Sequence, residues 1–173
     1  KIIKAAKKSN LECIFKRPKS ISGDRISDHS VLLHALKAAE KLKKNKIDII
    51  LLVQPTSPLR KVIHIKNVIK KIVDQKLDSV WTVSKADLKF HPLKQLILKK
   101  NILSHYNKKG GEIVARQQLN NTYYRNGVVY AVTRELILKN KNLISNKSSG
   151  YLINTPQISI DTVKDLKLAS QLM

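Results

Sequence analysis

The sequence predicts an α/β domain built on a parallel sheet, and three observations lead there. The stretch DIILLVQPTSPLR (48–60) carries a short run of branched apolar residues, Ile49 to Val53, closed by a proline-bounded polar loop. Segments with amphipathic helical spacing flank that run on both sides. A second β-rich run, DSVWTVS (78–84), follows the second helix. This β–α–β alternation implies parallel strands joined by right-handed crossovers.

Taken in order, residues 1–9 read as the end of a basic amphipathic helix and LECIF (11–15) as a short strand. KRPKSISGDRIS (16–27) is a loop by its Pro, Gly and Ser content. From Asp28 to about Lys44, the positions Leu32, Ala35, Leu36, Ala39 and Leu42 recur at helical spacing, with Ser27 or Asp28 as N-cap. The run 49–53 reads as a strand buried on both faces. It stops at Gln54, because Pro55 and Pro58 cannot join a ladder. Ligands bind at the carboxyl ends of strands in open α/β sheets, which makes the loop 54–60 a site candidate; an ordinary strand-to-helix connection is the alternative.

The face Val62, Ile65, Ile69, Ile72 defines the next helix, with Lys66, Lys70 and Lys71 outward. Residues 87–120 break the rhythm: apolar pieces around Asn101, then Gly110-Gly111, predict a β-ribbon excursion from the main sheet. Asn126-Gly127 opens a strand VVYAV, RELILKN makes a short helix, GYLIN is a strand candidate, and ISID leads into a final helix, TVKDLKLASQLM. With no repeat or low-complexity tail, residues 1–173 read as a single domain.

At 42% hydrophobic residues, 173 residues can bury a real core. No apolar run reaches membrane-spanning length and no signal-peptide pattern opens the chain, so no membrane partner is expected. The one cysteine, Cys13, can form no internal disulfide, which fits a cytoplasmic setting. The formal net charge of +22 invites a nucleic-acid reading. However, the lysines are scattered, and aromatic residues, 5% of the chain, do not interleave with basic clusters. Solvated helix faces are the favoured account, with no nucleic-acid partner, although a basic surface would still attract small anions.

Six blocks carry a resemblance: KRPKSISGD (16–24), HALK (34–37), LLVQPTSPLR (51–60), HPLKQL (91–96), ARQQL through YRNGVVYAV (115–132) and SIDTVKDLKLA (159–169). In this order and spacing, the chain resembles the acylneuraminate cytidylyltransferases, the CMP-sialic acid synthetases. The resemblance implies a three-layer α/β/α, Rossmann-like nucleotidyltransferase with a mainly parallel sheet. It implies CTP and a nonulosonic acid as substrates, CMP-sugar and pyrophosphate as products, and Mg2+ as cofactor. It also implies a homodimer, with the ribbon at 87–120 crossing into the partner.

Such chemistry needs in-line attack of the anomeric hydroxyl on the α-phosphorus, so positioning and charge neutralisation dominate. Gln54 both donates and accepts hydrogen bonds, and the resemblance places it between nucleotide and sugar; a strand-end glutamine capping local backbone is the alternative. Arg17 and Asp24 lie in the segment resembling the family's cytidine-recognition loop, where a guanidinium suits the cytosine carbonyl or a phosphate; a surface arginine is the alternative. Lys94 and Arg116 match positions that hold the acid sugar's carboxylate, set against the reading of any single lysine as solvated surface. His91 shapes its loop rather than catalysing. Tyr130 could stack on the sugar, and a core tyrosine is the other reading.

Where the family carries Asp-Ile-Asp for magnesium, this chain has Ser159-Ile160-Asp161. Strand alternation would put residues 159 and 161 on one face, leaving Asp161 as the single catalytic and metal-binding carboxylate. Thr162 and Asp165 form a capping box, which frees Asp161 from capping the last helix. The family's glycine-rich triphosphate loop has no counterpart here, so a chain lacking that amino-terminal segment is expected to be inactive alone. The nearest rival is another sugar cytidylyltransferase, such as CMP-3-deoxy-manno-octulosonate synthetase; a basic nucleic-acid-binding domain is the distant one.

Overall fold

A computed structural model describes residues 2–173. Helix α1 (Ile2–Lys8) buries no side chain, and Lys1 of the expected helix lies outside the described residues. Helix α2 (Asp28–Lys43) starts where Ser27 accepts the Ser30 N–H on its Oγ, which settles the N-cap in favour of Ser27. It ends on Lys44, held in the left-handed region at φ 54°. Strand β1 (Ile49–Leu52) leads through the polar loop to α3 (Val62–Asp74) and then to β2 (Ser79–Lys85). Strands β3 (Leu96–Lys99) and β4 (Ile102–His105) form a separate hairpin. Strand β5 (Tyr123–Thr133), α4 (Arg134–Lys139), β6 (Ser148–Leu152) and α5 (Val163–Leu172) complete the order.

The main sheet has the order β1-β5-β2-β6. β1 pairs antiparallel with β5, Ile49 opposite Thr133 and Leu52 opposite Tyr130. The bonds Thr133 N–H to Asp78 O and Ala86 N–H to Thr122 O make the β5–β2 pair antiparallel as well. In contrast, Asp78 N–H to Lys147 O and Ile153 N–H to Val83 O advance in one sense, so β2 and β6 are parallel. The sheet is therefore mainly parallel in strand direction: β1, β2 and β6 run one way, and β5 runs against them between β1 and β2. Alternation of β and α segments predicts the direction of β1 and β2 but not that a later strand inserts between them.

Three local expectations change. LECIF forms no strand, since residues 11–15 find no ladder partner among the described residues; Phe15 packs edge-on against His34 instead. β1 is half-buried rather than buried on both faces, in keeping with its place at the edge of the described sheet. β5 begins at Tyr123 and passes through Asn126-Gly127 without turning. Gly127 takes φ 74°, and the Asn126 Oδ1 accepts the Val128 N–H across it, an irregularity of the kind β-bulges use.

The chain folds as two compact units, each assembled from three stretches of sequence. The first takes the chain through Gln54, Lys61–Trp81 and Val129–Ser149. Its core joins Leu32 and Leu36 of α2, Val132 of β5, and Leu136 and Ile137 of α4, with Leu143 behind them. The opposite-facing Val129, Ala131 and Val80 are also fully buried, and α3 turns His64, Val68 and Ile72 inward, so both faces of the sheet are covered there. Each fully buried aliphatic side chain of this kind contributes about 1.5–3 kcal/mol. Glu40 and Arg134 pair through Nε–Oε1 at 2.7 Å, and that bond is the chief reason the Glu40 carboxyl lies below its ordinary value.

The second unit takes Pro55–Arg60, Thr82–Val128 and Gly150–Met173. It holds the β3–β4 hairpin, whose turn places Lys100 and Asn101 at φ 51° and 64°, the left-handed pair that a two-residue hairpin loop requires. It also holds α5, where the Thr162–Asp165 capping box forms as the sequence predicts.

Candidate functional site

The loop after β1 is pinned by backbone carbonyls of β5. Ser57, buried, donates its hydroxyl to Asn126 O at 3.2 Å, and Arg60 donates Nε–H to Val128 O at 2.6 Å. Burial lowers the Arg60 pKa, the direction that desolvation gives a cation. Asn126, also buried, spans to β2 through Nδ2–H to Ser84 Oγ at 3.0 Å. On another side, the Ile160 N–H donates to Thr56 O at 2.9 Å, which ties the Ser159-Ile160-Asp161 segment to the Pro-Thr-Ser-Pro loop. Two prolines stiffen the loop and three hydrogen bonds hold it, which is more than a mere connection requires.

A cleft of about 290 Å3 lies between the hairpin and the turns beside it. Lys94 closes the 3-10 turn Pro92–Lys94, and Arg116 opens the 3-10 turn Arg116–Gln118; both line the cleft. His91, buried, caps the first turn by accepting the Leu93 N–H on Nδ1 at 3.1 Å, in keeping with a role in shaping the loop. Gln118 Oε1 accepts the N–H groups of Val114 and Ala115 at 2.8 and 2.7 Å and so fixes the wall that carries Arg116. The rest of the lining is His105, Gly110 and aliphatic side chains, with no carboxylate. Neither Lys94 nor Arg116 makes a side-chain hydrogen bond or ion pair among the described residues. Arg116 does act on Asp87, whose carboxyl sits below its ordinary value mainly through the Lys89 N–H and least through the charge of Arg116. Two exposed cations facing an aliphatic-walled cleft with no carboxylate in its lining favour a ligand with an anionic end.

The remaining sequence candidates fall in different settings. Asp161 is exposed, its carboxylate unbonded, while its N–H donates to the Asp165 carboxylate at 3.2 Å. Residues 159–161 form no strand, so the expected same-face alternation of Ser159 and Asp161 does not apply; the bond from Ile160 to Thr56 orders the segment instead. Gln54 is half-buried at the end of β1. Arg17 and Asp24 are exposed on the irregular segment around the 3-10 turn Lys19–Ile21. Tyr130 is 1% exposed, and its ring stacks on Trp81 at 4.5 Å between centroids. That burial fits the core reading of Tyr130.

Against known proteins, the chain is 32% identical over 130 residues to the CMP-N,N'-diacetyllegionaminic acid synthase of Legionella pneumophila, a match covering 73% of this chain and 54% of that protein. Among solved structures it is similar to a CMP:2-keto-3-deoxy-manno-octonic acid synthetase complexed with CTP, with a TM-score of 0.63 and 13% identity over 99% of this chain and 76% of that one. By the Legionella match the chain is similar in sequence to the CMP-sialic-type cytidylyltransferases. It spans about half the length of the curated relative, 54%. A Bacillus anthracis structure described as a glucose-1-phosphate thymidylyltransferase, in complex with sucrose, shares the fold more loosely: TM-score 0.53, 11% identity, 96% of this chain and 67% of that one. No protein-family profile matches the chain.

The sequence-matched residues separate by setting. Lys94 and Arg116 share one cleft, and the Asp161 segment is joined to the Pro-Thr-Ser-Pro loop. Sequence reading gave no role to Ser57, Arg60 or Asn126, the residues that hold that loop in place. Their signal was available: all three lie inside the blocks that carry the family resemblance.

Proposed function

We propose that this chain provides the acid-sugar and nucleotide-reading residues of a cytidylyltransferase that joins CTP to a nonulosonic acid. The reaction forms a bond from the anomeric oxygen to the α-phosphorus and releases pyrophosphate, and the hydroxyl proton leaves to solvent or base. The observation that carries this reading is the cleft where Lys94 and Arg116 stand together with no carboxylate in its lining. A nonulosonic acid bears a carboxylate on its anomeric carbon, so two cations would fix both that group and the attacking hydroxyl beside it. The aliphatic walls from Leu93, Leu96, Ile113, Val114 and Leu119 suit an acylated sugar. The diacetylated substrate named for the Legionella relative is consistent with those walls.

Arg17, Asp24 and Gln54 are assigned to the nucleotide, Gln54 also to the sugar. Asp161 is the residue that would hold magnesium. Its carboxylate is exposed and unbonded, whereas that of Asp165 is committed to the helix cap. Among the described residues no group of three His, Cys, Asp or Glu side chains could hold a metal. That donor set fits magnesium only as the ion that keeps several waters and takes phosphate oxygens alongside one carboxylate. When bound, it would neutralise charge on the phosphates. The β3–β4 hairpin, apolar and exposed on both faces, is the segment through which two copies would associate as a homodimer.

Pyrophosphate release by a version carrying an amino-terminal triphosphate segment, followed with CTP, magnesium and either N-acetylneuraminate or 3-deoxy-manno-octulosonate, tests the assignment. Release that requires a nonulosonic acid and collapses in Asp161→Asn supports it. Release driven equally by the octulosonate, or none with either acid, counts against it.

A further inference from the structure

The cleft contains a third basic side chain that no motif singled out. His105 is the last residue of β4 and stands opposite Leu96 of β3, and both side chains line the cleft. Paired residues of an antiparallel hairpin project from the same face, so this placement follows from register. The Tyr106 N–H donates to Gln95 O at 2.9 Å, which extends the pairing just past His105 and holds its backbone.

The ring lies against Gly110 and Gly111. A Cβ on Gly110 would fall 2.9 Å from His105 Nδ1 and 2.4 Å from Leu93 O; one on Gly111 would fall 3.6 Å from His105 Nε2. Glycine at 110 therefore lets the turn Lys108–Glu112 close beneath both the imidazole and the Lys94 turn. Neither ring nitrogen is hydrogen-bonded among the described residues. A ring seated on a glycine pair, its nitrogens unengaged, in a cleft that two cations line and no carboxylate does, is arranged to donate to an anion.

We infer that His105 is a further ligand-binding residue of this cleft, donating an imidazole N–H to the carboxylate-bearing end of the sugar beside Lys94 and Arg116. The inference rests on the acid-sugar reading of the cleft and adds a specificity-determining residue to it. Imidazole donates from at least one ring nitrogen in either protonation state, so the contact needs no change in charge. It would favour ligands that present two acceptors about the anomeric carbon, a carboxylate and an adjacent hydroxyl, over a simple carboxylic acid.

The test is direct titration with N-acetylneuraminate and with its methyl ester. Calorimetry reads affinity, and NMR of ring-labelled histidines reads contact. The expected result is that the acid binds and the ester does not, and that the His105 ring resonances move on adding the acid. His105→Ala should weaken the acid about tenfold, the effect of one hydrogen bond to a charged group. His105→Gln, which keeps a donor, should stay within about threefold of the parent. Arg116→Ala separates the two levels of the proposal. If it abolishes acid binding while His105→Ala binds like the parent and the ring signals stay still, His105 is not a ligand-binding residue and the cleft reading stands. Equal losses in His105→Ala and His105→Gln with unmoved ring signals would mark a purely structural histidine and overturn the inference. Indifference of the parent and of Arg116→Ala to acid and ester alike would overturn both.

Discussion

Strand β5 and the β3–β4 hairpin are both apolar and both extended, yet they are buried to opposite extents. Val128 to Val132 of β5 are at most 1% exposed, whereas Leu98, Ile102 and Leu103 of the hairpin are 62–72% exposed. β5 has a strand on each side in the ladder, while each hairpin strand has only the other. The difference teaches that apolar content alone does not locate stability; neighbours do. The buried strand belongs to the part of the molecule that resists unfolding. The hairpin supplies a cleft wall.

Substitutions can break that comparison. The largest effect should come from Leu36→Ala, at a fully buried position of the α2 core, with a loss of about 2–5 kcal/mol in denaturant unfolding. A loss below about 1 kcal/mol would mean that the core around Val132 is looser than its burial implies. Next comes Gly110→Ala, where the new methyl would meet the Leu93 carbonyl at 2.4 Å. Strain of about 1–3 kcal/mol is expected there, together with weakened acid-sugar binding, and unchanged binding would show that the turn can shift without disturbing the cleft.

A pH titration sharpens the same contrast. His64 is buried in α3 and accepts the Lys61 N–H on Nδ1 at 3.2 Å; desolvation, and then the charge of Lys61, lower its pKa from the ordinary 6.5. Below pH 6.5 the unfolded chain takes up a proton that the folded chain resists. The contribution of His64 is thus fully present above pH 6.5 and is lost as pH falls towards the lowered folded-state value. Chemical unfolding at stepped pH should show this loss, and His64→Gln should flatten that part of the profile. A slope unchanged in the variant would assign the pH dependence elsewhere. The smallest effect on the folded monomer should follow Leu98→Ser, within about 0.5 kcal/mol, because the side chain it removes is already exposed. If the hairpin is the dimer surface, the same change should shift sedimentation towards monomer; sedimentation identical to the parent would remove the hairpin from that role.

Much of this was legible because periodicity reports burial. Leu32 and Leu36 of the α2 face, the Thr162–Asp165 cap and the hairpin around Asn101 follow from local spacing and local chemistry, whereas the expected α3 face does not hold: Val62 and Ile69 are exposed, and His64 and Val68 turn inward with Ile72. LECIF misled because it has strand composition but no ladder partner in the structure, and strand identity depends on partners. Asn126-Gly127 was legible as a special backbone position, but whether such a pair turns the chain or kinks a strand depends on what lies beside it. Of the candidate site, Lys94 and Arg116 were readable from the resemblance, and the structure puts them at one cleft. His105 was not, since its role depends on hairpin register and on two glycines several residues away. Tyr130 shows the converse limit: one residue type fits a core or a site equally well in sequence, and only its 4.5 Å stack on Trp81 separates the two.

The account turns on the Lys94–Arg116 cleft as the place that takes the acid sugar. Steady-state kinetics of Arg116→Ala, in a version carrying an amino-terminal triphosphate segment and with CTP and N-acetylneuraminate varied in turn, tests it most directly. The expected result is a rise in KM for the acid corresponding to about 1.5–3 kcal/mol, with KM for CTP held near the parent value. An unchanged KM for the acid alongside a raised KM for CTP would contradict it and move Arg116 to the nucleotide.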